Sequence, residues 1–225
     1  DRSESLAQIA VQGPASRDIL TNAGMADITN LKVRQCLDST FCGHPTLVTR
    51  TGYTGELGYE LYLPAEAAAA AWDRLLEAGH PLGVKPAGLG ARDLLRLEMA
   101  YLLYGNDMND ETTPIEAGAG WVVKFDKGDF IGRAELLAQH TKGPSRRLVA
   151  FELIEKGVPR HGFKILNPDA PHAVIGEVTS GLLVTTIDQP IAMGYVTPDF
   201  SANGAEVFAM VRGKQVPMVV APMPF

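Results

Sequence analysis

The residues with the clearest potential for ligand chemistry lie in the segment RTGYTGELGYE, residues 50–60. Two tyrosines and two glutamates are placed among three glycines. Glycine permits positive φ angles and lets a flat ligand approach the backbone, and the ring of Tyr53 offers a stacking face. The carboxylate of Glu60 can accept two parallel hydrogen bonds from adjacent N–H donors, as on the edge of a pterin or guanine. The segment fits a site for a flat heterocycle or, as composition alone favours, a tight hairpin with surface carboxylates.

Arg92 and Trp121 are the other candidate ligand-binding residues. Arg92 lies in an apolar segment that begins near Ala87. Because a buried arginine is rare unless it is paired, we expect either a buried cation paired with Glu60 or Asp93, or a donor to a ligand carbonyl. Trp121 lies among glycines and valines, which is typical of a core or interface aromatic and also fits the wall of a ligand site.

Several common catalytic and cofactor motifs are missing. GLGARD, from Gly88, has Asp93 where a dinucleotide fingerprint has its third glycine, and no strand leads directly into it. Ser180 is not part of a G-x-S-x-G motif. The five histidines are scattered, so we predict no metal site. Cys36 and Cys42 have neither C-x-x-C spacing nor a disulfide framework, which predicts two free thiols.

Composition and charge limit the classes of partner. The chain has 225 residues with 20 basic and 26 acidic side chains, a net charge of 20 − 26 = −6. This balance argues against general binding to nucleic acid or anionic membranes, which needs a basic surface. No apolar run approaches the ~20 residues that span a bilayer. The first four residues lack the features of a secretory signal, so we expect a cytoplasmic protein.

The elements that must position these residues predict an α+β fold. Alternating apolar residues followed by helical patterns predict an α+β unit over residues 1 to about 82, and a helix over residues 86–104. After residue 143, short apolar runs separated by turn residues predict a small barrel or sandwich. We therefore predict two domains, residues 1–143 and 144–225. The predicted strands are residues 6–11, 34–41, 45–50, 58–63, 147–154, 163–166, 175–179, 191–196, 207–211 and 216–220, and the other predicted helices are residues 15–23 and 64–79.

Seven longer motifs occur in a fixed order along nearly the whole chain. They are GYTGELGYE (residues 52–60), PAGLGARDLLRLE (86–98), LYGND (103–107), PIEAGAGW (114–121), KFDKGDFIG (124–132), IGEVTSG (175–181) and IAMGYV (191–196). This ordered series resembles the aminomethyltransferases of the glycine cleavage system, the T-protein family. Members of the superfamily differ in their methyl or aminomethyl donor.

The resemblance implies a fold, a cofactor and a reaction. The fold is a partial ferredoxin-like α+β unit and a central folate-cleft segment, followed by a C-terminal β-barrel. The cofactor is tetrahydrofolate, with Glu60 at the pterin edge, Arg92 in contact with the folate, and Tyr53 and Trp121 lining the cleft. The aminomethyl group arrives on the lipoyl arm of a partner H-protein. The products are 5,10-methylenetetrahydrofolate, ammonia and the reduced dihydrolipoyl arm.

The chain departs from the family pattern in four places. Family members are commonly longer at the N-terminus, where the family's catalytic aspartate lies, so we expect no catalytic residue within this sequence. The short tail that usually follows the terminal P-F is missing, and Leu183 and its neighbours replace the usual S-P turn after TSG. Leu57 replaces an acidic residue that is common at that position. Glu60 and Arg92 are retained.

Two other functions share the same resemblance. One is a folate-dependent demethylase, or the folate-binding module of a dimethylglycine or sarcosine dehydrogenase. The other is a non-enzymatic folate-binding protein that assists iron–sulfur proteins and carries a K-G-C-Y-x-G motif. Asp129 stands here where that motif has its cysteine, which favours the transferase.

Overall fold

The computed structural model describes residues 1–170 and 172–225, which form two compact units, residues 1–95 and 96–225. Each unit is described by itself below. The units divide within a helix, whereas the sequence places the domain boundary at residues 143 and 144. That boundary stays a prediction.

The first unit is built on a four-stranded antiparallel sheet. Its strands are β1 (Leu6–Gln12), β2 (Cys36–Phe41), β3 (His44–Thr49) and β4 (Gly58–Pro64), in the order β1-β4-β3-β2. Strand β4 is therefore a central strand with β1 and β3 as neighbours. The predicted strands of this unit are confirmed, with ends that differ by one or two residues.

Side-chain alternation along β4 decides which residues face the core. Tyr59, Leu61 and Leu63 are fully buried in a cluster with residues of helices α1 (Ser16–Asn22) and α2 (Ala68–Gly79). Because successive side chains of a strand point to opposite faces, Glu60 and Tyr62 lie on the other face. The sheet thus has one apolar face under the helices and one face with polar side chains.

The hairpin between β2 and β3 turns through Cys42 and Gly43, whose φ angles are 50° and 80°. Two successive positive φ angles are typical of a type I′ turn, which matches the twist of the strands. The predicted strands, residues 34–41 and 45–50, left three residues between them, and the turn is one residue shorter because β3 begins at His44. Cys36 and Cys42 are both unpaired and exposed.

Helix α3 (Leu89–Glu98) is shorter than the predicted helix over residues 86–104. Ala100 has a φ of 52°, and its N–H donates to the carbonyl of Leu97, while the N–H of Tyr101 donates to the carbonyl of Arg96. This pair of hydrogen bonds is the Schellman motif, which ends a helix with one left-handed residue. Glycine is the usual residue at such a helix end, and an alanine there does not mark it. The helix predicted from the sequence is therefore too long.

Replacing Ala100 with glycine is expected to raise the free energy of unfolding by about 0.5–1 kcal/mol, because glycine adopts a positive φ without strain from a β-carbon. Chemical denaturation followed by circular dichroism measures the change. Ala138→Gly, on exposed helix α4 (Arg133–Lys142), is the matched control and should lower stability by a similar amount. A loss of stability in both variants would contradict the account of this helix end.

The second unit contains a closed β-barrel. Strands β5 (Arg147–Leu153), β6 (Lys164–Leu166), β7 (Val174–Val184), β8 (Gln189–Val196), β9 (Glu206–Val211) and β10 (Lys214–Ala221) close in the order β10-β5-β8-β7-β6-β9. Phe151, Ile165 and Met218 are fully buried in its core. The predicted α+β class with a C-terminal barrel is confirmed, and the sandwich alternative is wrong.

Two elements of the second unit differ from the sequence prediction. Strand β7 continues to Val184 rather than ending at residue 179. Thr179 and Ser180 are polar but buried, so the apolar pattern in the sequence ends before the strand does. Gly176 in this strand cannot be replaced easily, since a β-carbon there would lie 1.9 Å from the carbonyl oxygen of Tyr195. Helix α4 was not predicted, because none of its residues is buried and its apolar residues form only a weak stripe.

Over the described ranges, 1–170 and 172–225, no helix has the length and apolar character needed to cross a membrane.

Candidate functional site

Glu60 lies near the middle of the polar sheet face of the first unit. In the antiparallel register it stands opposite Ala10 of β1 and Thr49 of β3. Its side chain is half-buried. Strands on both sides therefore supply side chains that can contact its carboxylate.

Two fixed donors hold the Glu60 carboxylate, one on each oxygen. The Gln8 side-chain amide donates to Oε1 at 2.8 Å, and the Thr51 hydroxyl donates to Oε2 in a short hydrogen bond. The Thr51 hydroxyl also lies 2.5 Å from that of Thr49. An ionised carboxylate offers about four acceptor positions. These two donors leave about one position open on each oxygen, which suits a ligand edge with two adjacent donors.

Tyr62 completes this group of polar side chains. Its hydroxyl accepts from the Gln8 amide at 3.2 Å. Burial raises the pKa of Tyr62 above its ordinary value of 10.0, and the negative charge of Glu60 raises it further. The Tyr62 hydroxyl is therefore neutral at physiological pH.

The glycine-rich loop that carries Tyr53 is wrapped around the side chain of Gln12. The Gln12 amide donates to the carbonyls of Thr51 at 3.3 Å and of Tyr59 at 3.2 Å. A β-carbon at Gly52 or Gly58 would lie 2.0 or 1.9 Å from Gln12 Oε1. These two glycines therefore make room for Gln12, a residue that the sequence analysis did not single out.

The variant Gly58→Ala is expected to lower the free energy of unfolding by about 1–2 kcal/mol, because the Gln12 amide must leave its hydrogen-bond partners. Gln12→Ala should lower it by a similar amount. The double variant should resemble either single variant, since the second change finds the contact already lost. Strictly additive losses in chemical denaturation would show that the loop does not depend on this contact.

Tyr53 and Arg92 are brought together in the first unit. The guanidinium carbon of Arg92 lies 4.6 Å from the centroid of the Tyr53 ring, a cation–π geometry worth about 0.5–1 kcal/mol at an exposed site. Arg92 is exposed, so the interpretation of it as a buried cation is wrong. The buried arginine of this helix is Arg96, one turn later and 1% exposed.

Arg96 belongs to a buried polar network within the second unit. It forms an ion pair with Asp107, also fully buried, at 2.5 Å, and donates to the Ser180 hydroxyl at 2.7 Å. Ser180 and Thr179 both donate to Asp107 Oδ1. The Tyr195 hydroxyl donates to the Asp107 carbonyl at 2.8 Å, and burial is the main cause that raises the pKa of Tyr195 to about 12. The network ties the end of α3 and the LYGND motif to β7, which is a structural role.

Trp121 lies in a short 3-10 helix, Gly120–Val122, of the second unit. Its side chain is 65% exposed, so the alternative interpretation of a core aromatic is wrong. Its role as a wall of a folate cleft stays a prediction.

An open groove of about 640 Å³ lies elsewhere in the second unit, with Glu116, His140 and Arg147 among its lining residues. None of the four predicted ligand-binding residues lines it. The Glu60 group, in contrast, presents specific hydrogen-bond donors and acceptors to a ligand. Nowhere in residues 1–170 and 172–225 do three or more His, Cys, Asp or Glu side chains group as potential metal ligands.

The class of protein follows from comparison with family models. Residues 1–127 match the GCVT N-terminal domain, and residues 146–225 match the glycine cleavage T-protein C-terminal barrel domain. Together these models cover most of the chain and agree with its α+β sheet unit and its closed barrel. The chain belongs to the glycine cleavage T-protein family.

Individual relatives carry a more specific name. The chain is 46% identical over 226 residues to an aminomethyltransferase of Halothermothrix orenii, covering 100% of this chain and 62% of the relative. It is 44% identical to an aminomethyltransferase of Phocaeicola vulgatus, with 99% and 62% covered. The crystal structure of glycine cleavage system aminomethyltransferase T from Bartonella henselae superposes with a TM-score of 0.88 at 36% identity, covering 97% of this chain and 59% of that one. The chain thus spans about three fifths of the length of these relatives.

Proposed function

We propose that this chain supplies the folate-binding surface of a tetrahydrofolate-dependent aminomethyltransferase. The aminomethyl donor is the lipoyl arm of an H-protein, and the products are 5,10-methylenetetrahydrofolate, ammonia and the dihydrolipoyl arm. The observation that carries the proposal is the Glu60 carboxylate, which is fixed by Gln8 and Thr51 and keeps an acceptor position on each oxygen. A reduced pterin presents two adjacent N–H donors of matching spacing.

The residues of this chain fit the pterin in orientation and charge. Glu60 accepts hydrogen bonds from the N–H and amino group of the pterin edge, and the Tyr53 ring packs against the bound molecule. Arg92, held over Tyr53, contacts the folate through its guanidinium donors. Bound tetrahydrofolate supplies a nucleophilic nitrogen, N5, for the aminomethyl carbon. Fixing the pterin in one orientation accelerates the transfer because N5 is held close to the aminomethyl carbon in a reactive geometry.

The transferase is favoured over the other folate-dependent functions by two observations. The relatives described above carry the name aminomethyltransferase at 44–46% identity. Asp129 also stands where the iron–sulfur assisting proteins have a cysteine. We propose Trp121 as a further wall of the folate cleft, and we assign no proton-transfer role to a residue of this sequence.

Calorimetric titration of the chain with tetrahydrofolate tests the proposal. We expect one site, and no binding of p-aminobenzoylglutamate, which lacks the pterin. Ammonia release from an aminomethylated H-protein on addition of tetrahydrofolate distinguishes the transferase from a demethylase, which would instead act on dimethylglycine or sarcosine. If tetrahydrofolate and p-aminobenzoylglutamate bind equally well, or if neither binds, the result contradicts a pterin site.

A further inference from the structure

We propose that Gln8 and Thr51 are positioning residues that orient the Glu60 carboxylate for the pterin. This inference rests on the proposed function. It assigns a role to two side chains, Gln8 and Thr51, that lie upstream of the motif GYTGELGYE and that the motif does not explain.

The two fixed donors reach Glu60 from opposite sides of strand β4. Gln8 lies on β1, opposite Tyr62 and next to the Ala10–Glu60 pair. Thr51 follows the end of β3, whose Thr49 stands opposite Glu60. A glutamate side chain has several rotatable bonds, and donors on both flanks restrict it to one orientation before a ligand arrives. The carboxylate is thus preorganised by residues that need not touch the ligand.

The remaining acceptor positions determine what the ligand must offer. Gln8 occupies a position on Oε1 and Thr51 a position on Oε2. One open position on each oxygen accepts a pair of parallel donors, which is the pattern of the pterin N3–H and its 2-amino group. A ligand with a single donor uses only half of this arrangement.

Matched threonine variants test the positioning role. Thr51→Val removes only the hydroxyl and is expected to raise the Kd for tetrahydrofolate about five- to tenfold, the size of one typical intramolecular hydrogen bond. Thr51→Ser restores the hydroxyl and should bring Kd back to within about threefold of the unchanged chain. Thr46→Val makes the same chemical change on the buried face of β3 and is the control. Gln8→Met, of similar length without a donor, should weaken binding as Thr51→Val does.

A pterin analogue separates positioning from a general structural effect. Replacing the 2-amino group of tetrahydrofolate by a methyl group removes one of the two donors that Glu60 is oriented to accept. We expect the Thr51→Val effect to shrink to less than about twofold with this analogue, since coupled groups do not lose their energies additively. The same fold-change with both ligands would show that Thr51 only maintains the structure, and would overturn the inference.

The outcomes distinguish this inference from the proposed function. If the unchanged chain does not bind tetrahydrofolate, or if Glu60→Gln binds it equally well, the proposed function fails and the positioning role fails with it. If Glu60→Gln weakens binding while Thr51→Val and Gln8→Met bind like the unchanged chain, only the positioning role is overturned. Thermal unfolding of each variant confirms that the compared proteins are folded.

Discussion

Arg96→Met is expected to lower the free energy of unfolding by about 3–5 kcal/mol. The substitution leaves the Asp107 carboxylate, fully buried, without its cationic partner, and an uncompensated buried charge is among the most destabilising changes in a protein. Ser180 and Thr179 still donate to Asp107 but do not neutralise its charge. Guanidinium chloride denaturation, followed by circular dichroism, measures the loss.

The matched control is Arg147→Met at the exposed start of β5, where the same chemical change should alter stability by less than about 0.5 kcal/mol. A double variant, Arg96→Met with Asp107→Asn, removes both charges and should be less destabilised than the sum of the single variants. If Arg96→Met and Arg147→Met unfold at the same denaturant concentration, the buried Arg96–Asp107 pair does not stabilise the second unit.

Glu60→Gln is expected to weaken tetrahydrofolate binding by about 2–5 kcal/mol, a factor of about thirty to several thousand in Kd. The change keeps the volume and one acceptor, removes the charge and places an amide donor against the donor edge of the pterin. Since Glu60 is only half-buried, little thermal stability should be lost. Isothermal titration calorimetry and thermal unfolding of the same samples measure both quantities.

Glu56→Gln is the control for this second prediction, because Glu56 is the other carboxylate of the glycine-rich segment and is exposed. It should bind tetrahydrofolate as the unchanged chain does. A large loss of thermal stability in Glu60→Gln would instead indicate that Glu60 stabilises the sheet. If only Glu56→Gln weakens binding, Glu56 and not Glu60 binds the pterin.

The strands were predictable because their side chains follow a simple two-residue pattern. Tyr59, Leu61 and Leu63 alternate with Glu60 and Tyr62, which fixes both the strand and its buried face. The ends of helices were less predictable. Helix α3 ends before a left-handed alanine, Ala100, and not at the predicted residue 104, and α4 lacks the buried stripe that identifies a helix.

The residues around Glu60 were predictable only where they share its motif. Tyr53 and Glu60 stand within nine residues of each other, and the motif placed both. Gln8 lies 52 positions before Glu60 and contacts it only because β1 pairs with β4 in one register. The sequence also did not show which arginine of α3 is buried. Arg92 and Arg96 are one turn apart, and only the contact of Arg96 with Asp107 distinguishes them.

A crystal structure of the chain with tetrahydrofolate tests the central claim most directly. The account predicts that the pterin N3–H and 2-amino nitrogens lie about 2.7–3.2 Å from the two Glu60 carboxylate oxygens. Gln8 and Thr51 should keep their hydrogen bonds to the same oxygens. A pterin bound in the groove beside Glu116, or anywhere out of reach of Glu60, would contradict the account.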